Sequence, residues 1–182
     1  MAKHLMILHV GPDEVDVAAM TDGLALAHVS VPELPADALH HAGLELRRTH
    51  KAAGLKRKQV EGSWAQVCRR ARKAKADCFV SVPGLVDATP EQVALTLDEV
   101  SDFRVVLVLT SGFTAPAPAA WTAAVRADRT HLLPTGLGED RLAAQVARIA
   151  LMEAEARLAR STEKKLASLR KRRRKVDKRL AA

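Results

Sequence analysis

The sequence predicts an α/β protein: a parallel sheet of about four or five strands with helices on both faces, followed by a long basic C-terminal helix. Three observations predict it. Short apolar runs of strand length alternate with longer segments whose apolar residues recur at helical spacing. The runs are apolar throughout rather than alternating, which suits strands covered on both faces. The first run also ends in glycine and opens directly into a polar turn, the place where open α/β sheets hold their ligands.

Taken in order, Leu5 to Val10 is a short, fully apolar strand, and Val15 to Leu26 reads as a helix with a soft spot at Gly23. Pro32 and Pro35 mark a loop. A helix over Ala36 to Lys51 follows, with Leu39, Gly43, Leu46 and His50 at helical spacing, and Gly54 to Gly62 is a polar connection. Ser63 is placed to cap a helix to about Ala74, with Trp64, Val67, Cys68 and Ala71 on one face and Arg69, Arg72 and Lys73 largely opposite. Cys78 to Val82 is the second strand, stopped by Pro83-Gly84. Thr89-Pro90-Glu91-Gln92 starts the next helix: Thr at the N-cap, Pro at the first helical position, Gln placed to close a capping box. That helix runs to about Val100. Arg104 to Leu109 contains the most hydrophobic run and predicts a central strand; Phe113 to Pro118 is a loop, Ala119 to Ala127 a helix, Thr130 to Leu133 a short fourth strand. After Gly138 one helix continues to the C-terminus.

At 182 residues the chain holds one domain with a real core plus an appendage. Its two cysteines, Cys68 and Cys78, match no metal or redox spacing and come without a secretory signal, so reduced, partly buried thiols are expected. No segment approaches the roughly 20 apolar residues that span a bilayer, which makes a cytoplasmic location the expectation. Abundant Ala, Val and Leu, arginine over lysine, and the absence of tyrosine read as a high-GC bacterial composition. The seven histidines include no i, i+4 pair beside an acid, so no metal is expected. The net charge of +8 is unevenly placed: residues 47–75 and 157–182 each carry a net +10, so the rest of the chain is net −12.

The turn after the first strand carries most of the functional information. A phosphate cradle needs small residues, whose backbone N–H groups reach the phosphate, and a lysine for counter-charge. Here His9-Val10-Gly11-Pro12 leads into Asp13, Glu14, Val15 and Asp16, three carboxylates in four positions.

Over residues 5–125 the order of several short pieces resembles the sulfotransferase-like proteins of actinobacteria, whose fold is the P-loop type of enzymes using 3′-phosphoadenosine-5′-phosphosulfate. His9-Val10-Gly11-Pro12 looks like that family's loop entry, His-x-Gly-Pro-Pro-Lys-Thr-Gly-Thr. Ala42-Gly43-Leu44-Glu45-Leu46-Arg47 resembles its Ala-rich helix, followed at a distance by Gly62-Ser63-Trp64. Ala88-Thr89-Pro90-Glu91-Gln92, then Arg104 to Thr110, then Ala119-Ala120-Trp121, complete the resemblance. It implies a sulfotransferase-like α/β domain over 1–136 and a C-terminal helix with a basic tail over 137–182.

Carried over one position at a time, the implied cofactor residues are mostly lost. The lysine position falls on Glu14, the glycine on Asp16, and the hydroxyl positions on Val15 and Val17. At about 4 Å and an effective dielectric near 20, two unit charges interact by about 4 kcal/mol, so this reversal of sign acts strongly against a multiply charged nucleotide. After the third strand the family continues Thr-Ala-Arg-Asp, its arginine clamping the 3′-phosphate. This chain has Thr110-Ser111-Gly112-Phe113. The resemblance therefore implies a non-catalytic relative with no cofactor, acting as a binding or scaffold module. Two alternatives stand beside it: an active sulfotransferase holding the phosphosulfate cofactor through an atypical loop, and an unrelated α/β module binding nucleic acid non-specifically. His9 is the residual candidate for a general base, although a lone histidine in an apolar strand is more often structural.

Two basic segments remain as candidates: Arg47 to Lys75, which the resemblance places near the acceptor-binding side and which suits an anionic partner, against the bland alternative of a solubilising helix face, and the tail. Leu166, Leu169, Val176 and Leu180 form a thin stripe interrupted by Arg173, so self-association is expected to be weak. Arg170, Lys171, Arg172, Arg173, Arg174 and Lys175 are suited to a polyanion or protein partner, against the bland alternative of a solvated helix. No aromatic residue interleaves with these charges, so base stacking is not suggested.

Overall fold

A computed structural model describes residues 3–12, 14–111 and 118–180. Strands β1 (Leu5–Gly11), β2 (Cys78–Pro83), β3 (Arg104–Ser111) and β4 (Thr130–Pro134) form one sheet of order β2-β1-β3-β4, every pair parallel. Ser30 adds a single parallel bridge to Cys78 on the outer edge of β2, so the sheet has four strands and the stub of a fifth. Pro32, two residues on, has no N–H with which to extend that ladder. The helices are α1 (Thr21–Ala25), α2 (Ala38–Arg47), α3 (Arg57–Val60), α4 (Ser63–Ala74), α5 (Pro90–Asp98), α6 (Ala119–Ala124) and α7 (Glu139–Leu180).

β1 is buried along its whole length, and alternation divides its side chains between two layers. Met6, Leu8 and Val10, with Val80, Val82, Leu107 and Leu109, meet Ala42 and Leu46 of α2, Trp64, Val67 and Ala71 of α4, Val93 of α5 and Trp121 of α6 in the main core. Leu5, Ile7 and His9, with Phe79, Ser81, Val106, Val108 and Thr110, face the opposite way and are also buried. Leu24 of α1 and Leu142, Ala143 and Val146 of α7 are buried as well, and Gly23 lies close against Ala143. Two compact units result. The first, residues 1–147, contains the sheet, α1–α6 and the start of α7; the second, from residue 148 on, contains the remainder of α7 to Leu180.

The strands lie where the sequence places them, but several helices do not. The expected helix from Val15 to Leu26 is reduced to α1, because the Asp16 carboxylate accepts the Ala18 and Ala19 N–H groups (3.0 and 3.2 Å) and turns the chain first. The helix expected to reach Lys51 stops at Arg47: Arg48 is left-handed (φ 57°), and it and Thr49 bond back to Glu45 and Leu44 carbonyls. The Gly54 to Gly62 connection contains α3, whose Val60 is buried. Ser63 is not a cap but the first residue of α4; left-handed Gly62 is the N-cap, and the Glu45 carboxylate accepts from Gly62 N (2.6 Å) and Trp64 N (2.8 Å). The helix expected over Ala119 to Ala127 ends at Ala124, because Val125 extends into the core before a 3-10 turn at Ala127–Arg129.

Candidate functional site

In a sheet where the chain leaves β1 toward one edge and later crosses to the other side, ligand sites form beyond the strand C-termini. β1 is flanked by β2 and β3, so the crevice lies over Gly11, Pro83 and Ser111.

Its floor is a hydrogen-bonded row across three strands. His9 Nδ1 lies 2.8 Å from Ser81 Oγ and Nε2 lies 3.1 Å from Thr110 Oγ1, with the ring stacked on Phe79. The residue is 1% exposed. Burial pushes its imidazole down from 6.5 to about 4, so it is neutral at pH 7, with one ring nitrogen donating and the other accepting. Both nitrogens are occupied by chain hydroxyls, so His9 holds together three strands and offers no free nitrogen to a substrate. Gly11 follows directly. A Cβ there would overlap Thr110 Oγ1 and press on the His9 ring, so the glycine is needed for this close approach.

Above the floor, Glu14 and Val15 stand between two cavities. The larger, about 370 Å³, is walled by Glu14, Asp37, His40 and Ser81 among others; the smaller, about 70 Å³, reaches His9, Thr110 and Glu139. Neither wall contains a lysine or arginine. Glu14, at the position implied for the phosphate-binding lysine, instead accepts a hydrogen bond from His40 of α2 at 2.8 Å. Asp16 is occupied by its own backbone turn. Pro12 continues from the strand into a bend, and Thr110 and Ser111 close the end of β3. Asp13 and Gly112 lie outside the described residues. Among the described residues no cluster of three or more His, Cys, Asp or Glu is arranged to hold a metal ion.

The largest cavity, about 600 Å³, lies away from the strand ends, between α2, α3, α4 and α5. Trp64 forms part of its wall, and its indole N–H is buried without a partner. Two cations of the basic 47–75 segment pair with acids among the described residues, Arg57 with Glu61 (3.1 Å) and Arg72 with Asp102 (2.9 Å) and Glu99 (3.5 Å), and every lysine and arginine of the segment except Arg72 is exposed. Hydrogen bonding from Arg72 holds the Asp102 carboxyl below its usual range. Trp121 is fully buried and donates to the Leu85 carbonyl at 2.8 Å, fixing α6 to the loop after β2. Cys68 and Cys78 are free and buried, their thiols pushed up to about 12 chiefly by burial.

On α7, Arg170, Lys171, Arg172, Arg173 and Arg174 are all exposed. Of these, Arg173 lies 4.0 Å from Asp177 and the other four make no ion pair. The side chain of Lys175 lies outside the described residues, as does that of Leu180. Leu158, Leu166, Leu169 and Val176 are exposed as well. No helix among the described residues is long and apolar enough to cross a membrane.

Sequence reasoning missed three contributors: Ser81, His40 and Glu45. Ser81 was visible as the one hydroxyl in an otherwise apolar strand. The Glu14–His40 and Glu45–Trp64 contacts join separate elements, and no local pattern announces them.

No protein-family model matches the chain, and no curated protein is similar to it at a significant level. Among solved structures, a de novo designed protein of P-loop type, determined by solution NMR, matches 84% of this chain and 92% of its own length at 12% identity and a TM-score of 0.41. At this level the likeness carries no statement about activity.

Proposed function

We propose that the chain is a non-catalytic, sulfotransferase-like binding or scaffold protein whose strand-end crevice rejects phosphonucleotides and whose basic C-terminal helix engages an anionic partner. The observation that carries this reading is the distribution of charge. Where a phosphate would need a cation, the crevice presents Glu14, Asp37 and Glu139 and no lysine or arginine. The exposed cations stand instead on the basic segment 47–75, Arg47, Arg48 and Lys51 among them, and on α7. A carboxylate beside a phosphate is repulsive, and desolvating the pair inside a cavity makes it more so. His9, with both nitrogens occupied and its imidazole neutral, supports the absence of acid–base chemistry at this site.

The test is calorimetric titration of the full-length protein with 3′-phosphoadenosine-5′-phosphate at near-physiological salt. No saturable heat is expected at micromolar concentrations. Micromolar affinity that survives replacement of Arg170, Lys171, Arg172, Arg173 and Arg174 by glutamine overturns the reading and places the nucleotide in the crevice.

A further inference from the structure

We infer that the basic end of α7 is a binding element for B-form duplex DNA, lying in the major groove and contacting phosphates on both flanks. The inference rests on the anionic-partner reading above and names the partner. Its basis is how charge is distributed around the helix, beyond how much charge there is.

Successive residues of an α-helix are separated by about 100°. Arg170, Lys171, Arg172, Arg173 and Arg174 therefore surround the axis with no gap wider than about 100°. All five are exposed, and Lys164 and Lys165 one to two turns earlier are exposed and unpaired too. Along the basic part of the helix, from Leu158 onward, the large apolar side chains described as exposed, Leu158, Leu166, Leu169 and Val176, occupy a stripe about 80° wide, and Arg173 falls inside it.

A helix that lies on an anionic bilayer needs one broad apolar face to bury and its cations on the other; a stripe this narrow, broken by a guanidinium, does not provide it. A planar anionic surface would also leave half of the encircling cations unused. The B-DNA major groove presents the opposite geometry. It is about 12 Å wide, admits a helix about 10–12 Å across, and places a phosphate wall on each side. The deep, narrow major groove of duplex RNA does not admit a helix. From Arg157 to Arg179 the helix spans about 33 Å at 1.5 Å per residue, close to one turn of the duplex. From Arg157 to the chain end there is no Asn or Gln to pair with adenine and no aromatic residue to stack on bases.

The test is fluorescence anisotropy of a labelled 20-base-pair DNA duplex titrated with the full-length protein across a salt series, beside co-sedimentation with phosphatidylcholine vesicles containing 30% phosphatidylserine. About four to six phosphate contacts are expected, weakening duplex binding roughly 10²- to 10³-fold between 50 and 200 mM salt. Replacing Arg170, Lys171, Arg172, Arg173 and Arg174 by glutamine should weaken binding at least tenfold and flatten the salt slope, with helicity by circular dichroism retained. Leu166→Ser with Leu169→Ser should change duplex affinity less than threefold. Vesicle binding without duplex binding overturns the DNA assignment and leaves the anionic-partner reading standing. Absence of both at 50 mM salt overturns the two together. Duplex binding unaffected by the glutamine replacements, or lost in the leucine variant while its helicity is retained, also overturns the assignment.

Discussion

Gly11 and His9 show how single residues fix the character of the crevice. Gly11 has an ordinary backbone conformation, and its requirement is steric: a methyl group has no room beside Thr110 Oγ1. Gly11→Ala is expected to destabilise the protein by about 1–3 kcal/mol, the usual range for an extra methyl in a packed site, measured by urea unfolding. His9 gives a pH signature. Its folded value, about 4, lies below the 6.5 of an exposed histidine, so the unfolded chain binds the extra proton between those values. Its stabilising contribution is therefore complete above about pH 6.5 and is lost as pH falls toward 4, by an amount on the order of 3 kcal/mol. Urea midpoints of wild type and His9→Gln should diverge near pH 7 and converge near pH 4; a constant difference would contradict the buried neutral imidazole.

At the scale of elements, two helix starts differ in how they are made. α5 begins with a cap written entirely in local sequence: Thr89 N–H donates to Gln92 Oε1 at 2.9 Å, and Gln92 N–H to Thr89 Oγ1 at 3.4 Å, with Pro90 at the first position. α4 begins with a cap delivered from another helix, Glu45. Thr89→Ala should cost about 1 kcal/mol, and Glu45→Ala about 2 kcal/mol, since it removes a charged acceptor from two backbone donors; denaturant unfolding measures both. An equal or smaller loss at Glu45 would contradict its capping role. The same contrast explains what was legible. The strands were readable because unbroken apolar runs between turn residues have few other fates, and α5 because its signals lie within four residues. The shortened α1 and the early end of α2 were not, because Asp16 and the left-handed Arg48 divert backbone bonds into local turns that helical spacing does not reveal, and the Gly62 cap was not, because its carboxylate comes from another helix. In the crevice, the carboxylate at Glu14 in the turn after β1 was legible from the sequence, whereas its pairing with His40 and the His9–Ser81–Thr110 row required the sheet to be assembled.

For the molecule as a whole, the organising fact is the division of charge along the chain: carboxylates line the crevice, while cations fill residues 47–75 and the end of α7. The chain keeps the architecture that places a loop and helix at the end of a central parallel strand, yet fills that position with carboxylates and a neutral histidine. Exposed cations are numerous both on residues 47–75 and on the 42-residue α7, and under the proposed reading long-range attraction draws anions to these basic segments rather than to the crevice. A bulk affinity for a nucleotide does not by itself separate the two, because a multiply charged ligand also associates weakly with a basic helix. Amide chemical-shift mapping of the isotope-labelled, full-length protein during titration with 3′-phosphoadenosine-5′-phosphate tests the account most directly. The prediction is small, salt-sensitive shifts on the basic segments, α7 and residues 47–75, with Gly11, Val15, Ser81 and Thr110 unmoved. Saturable shifts at those four crevice residues, persisting at high salt, would contradict it.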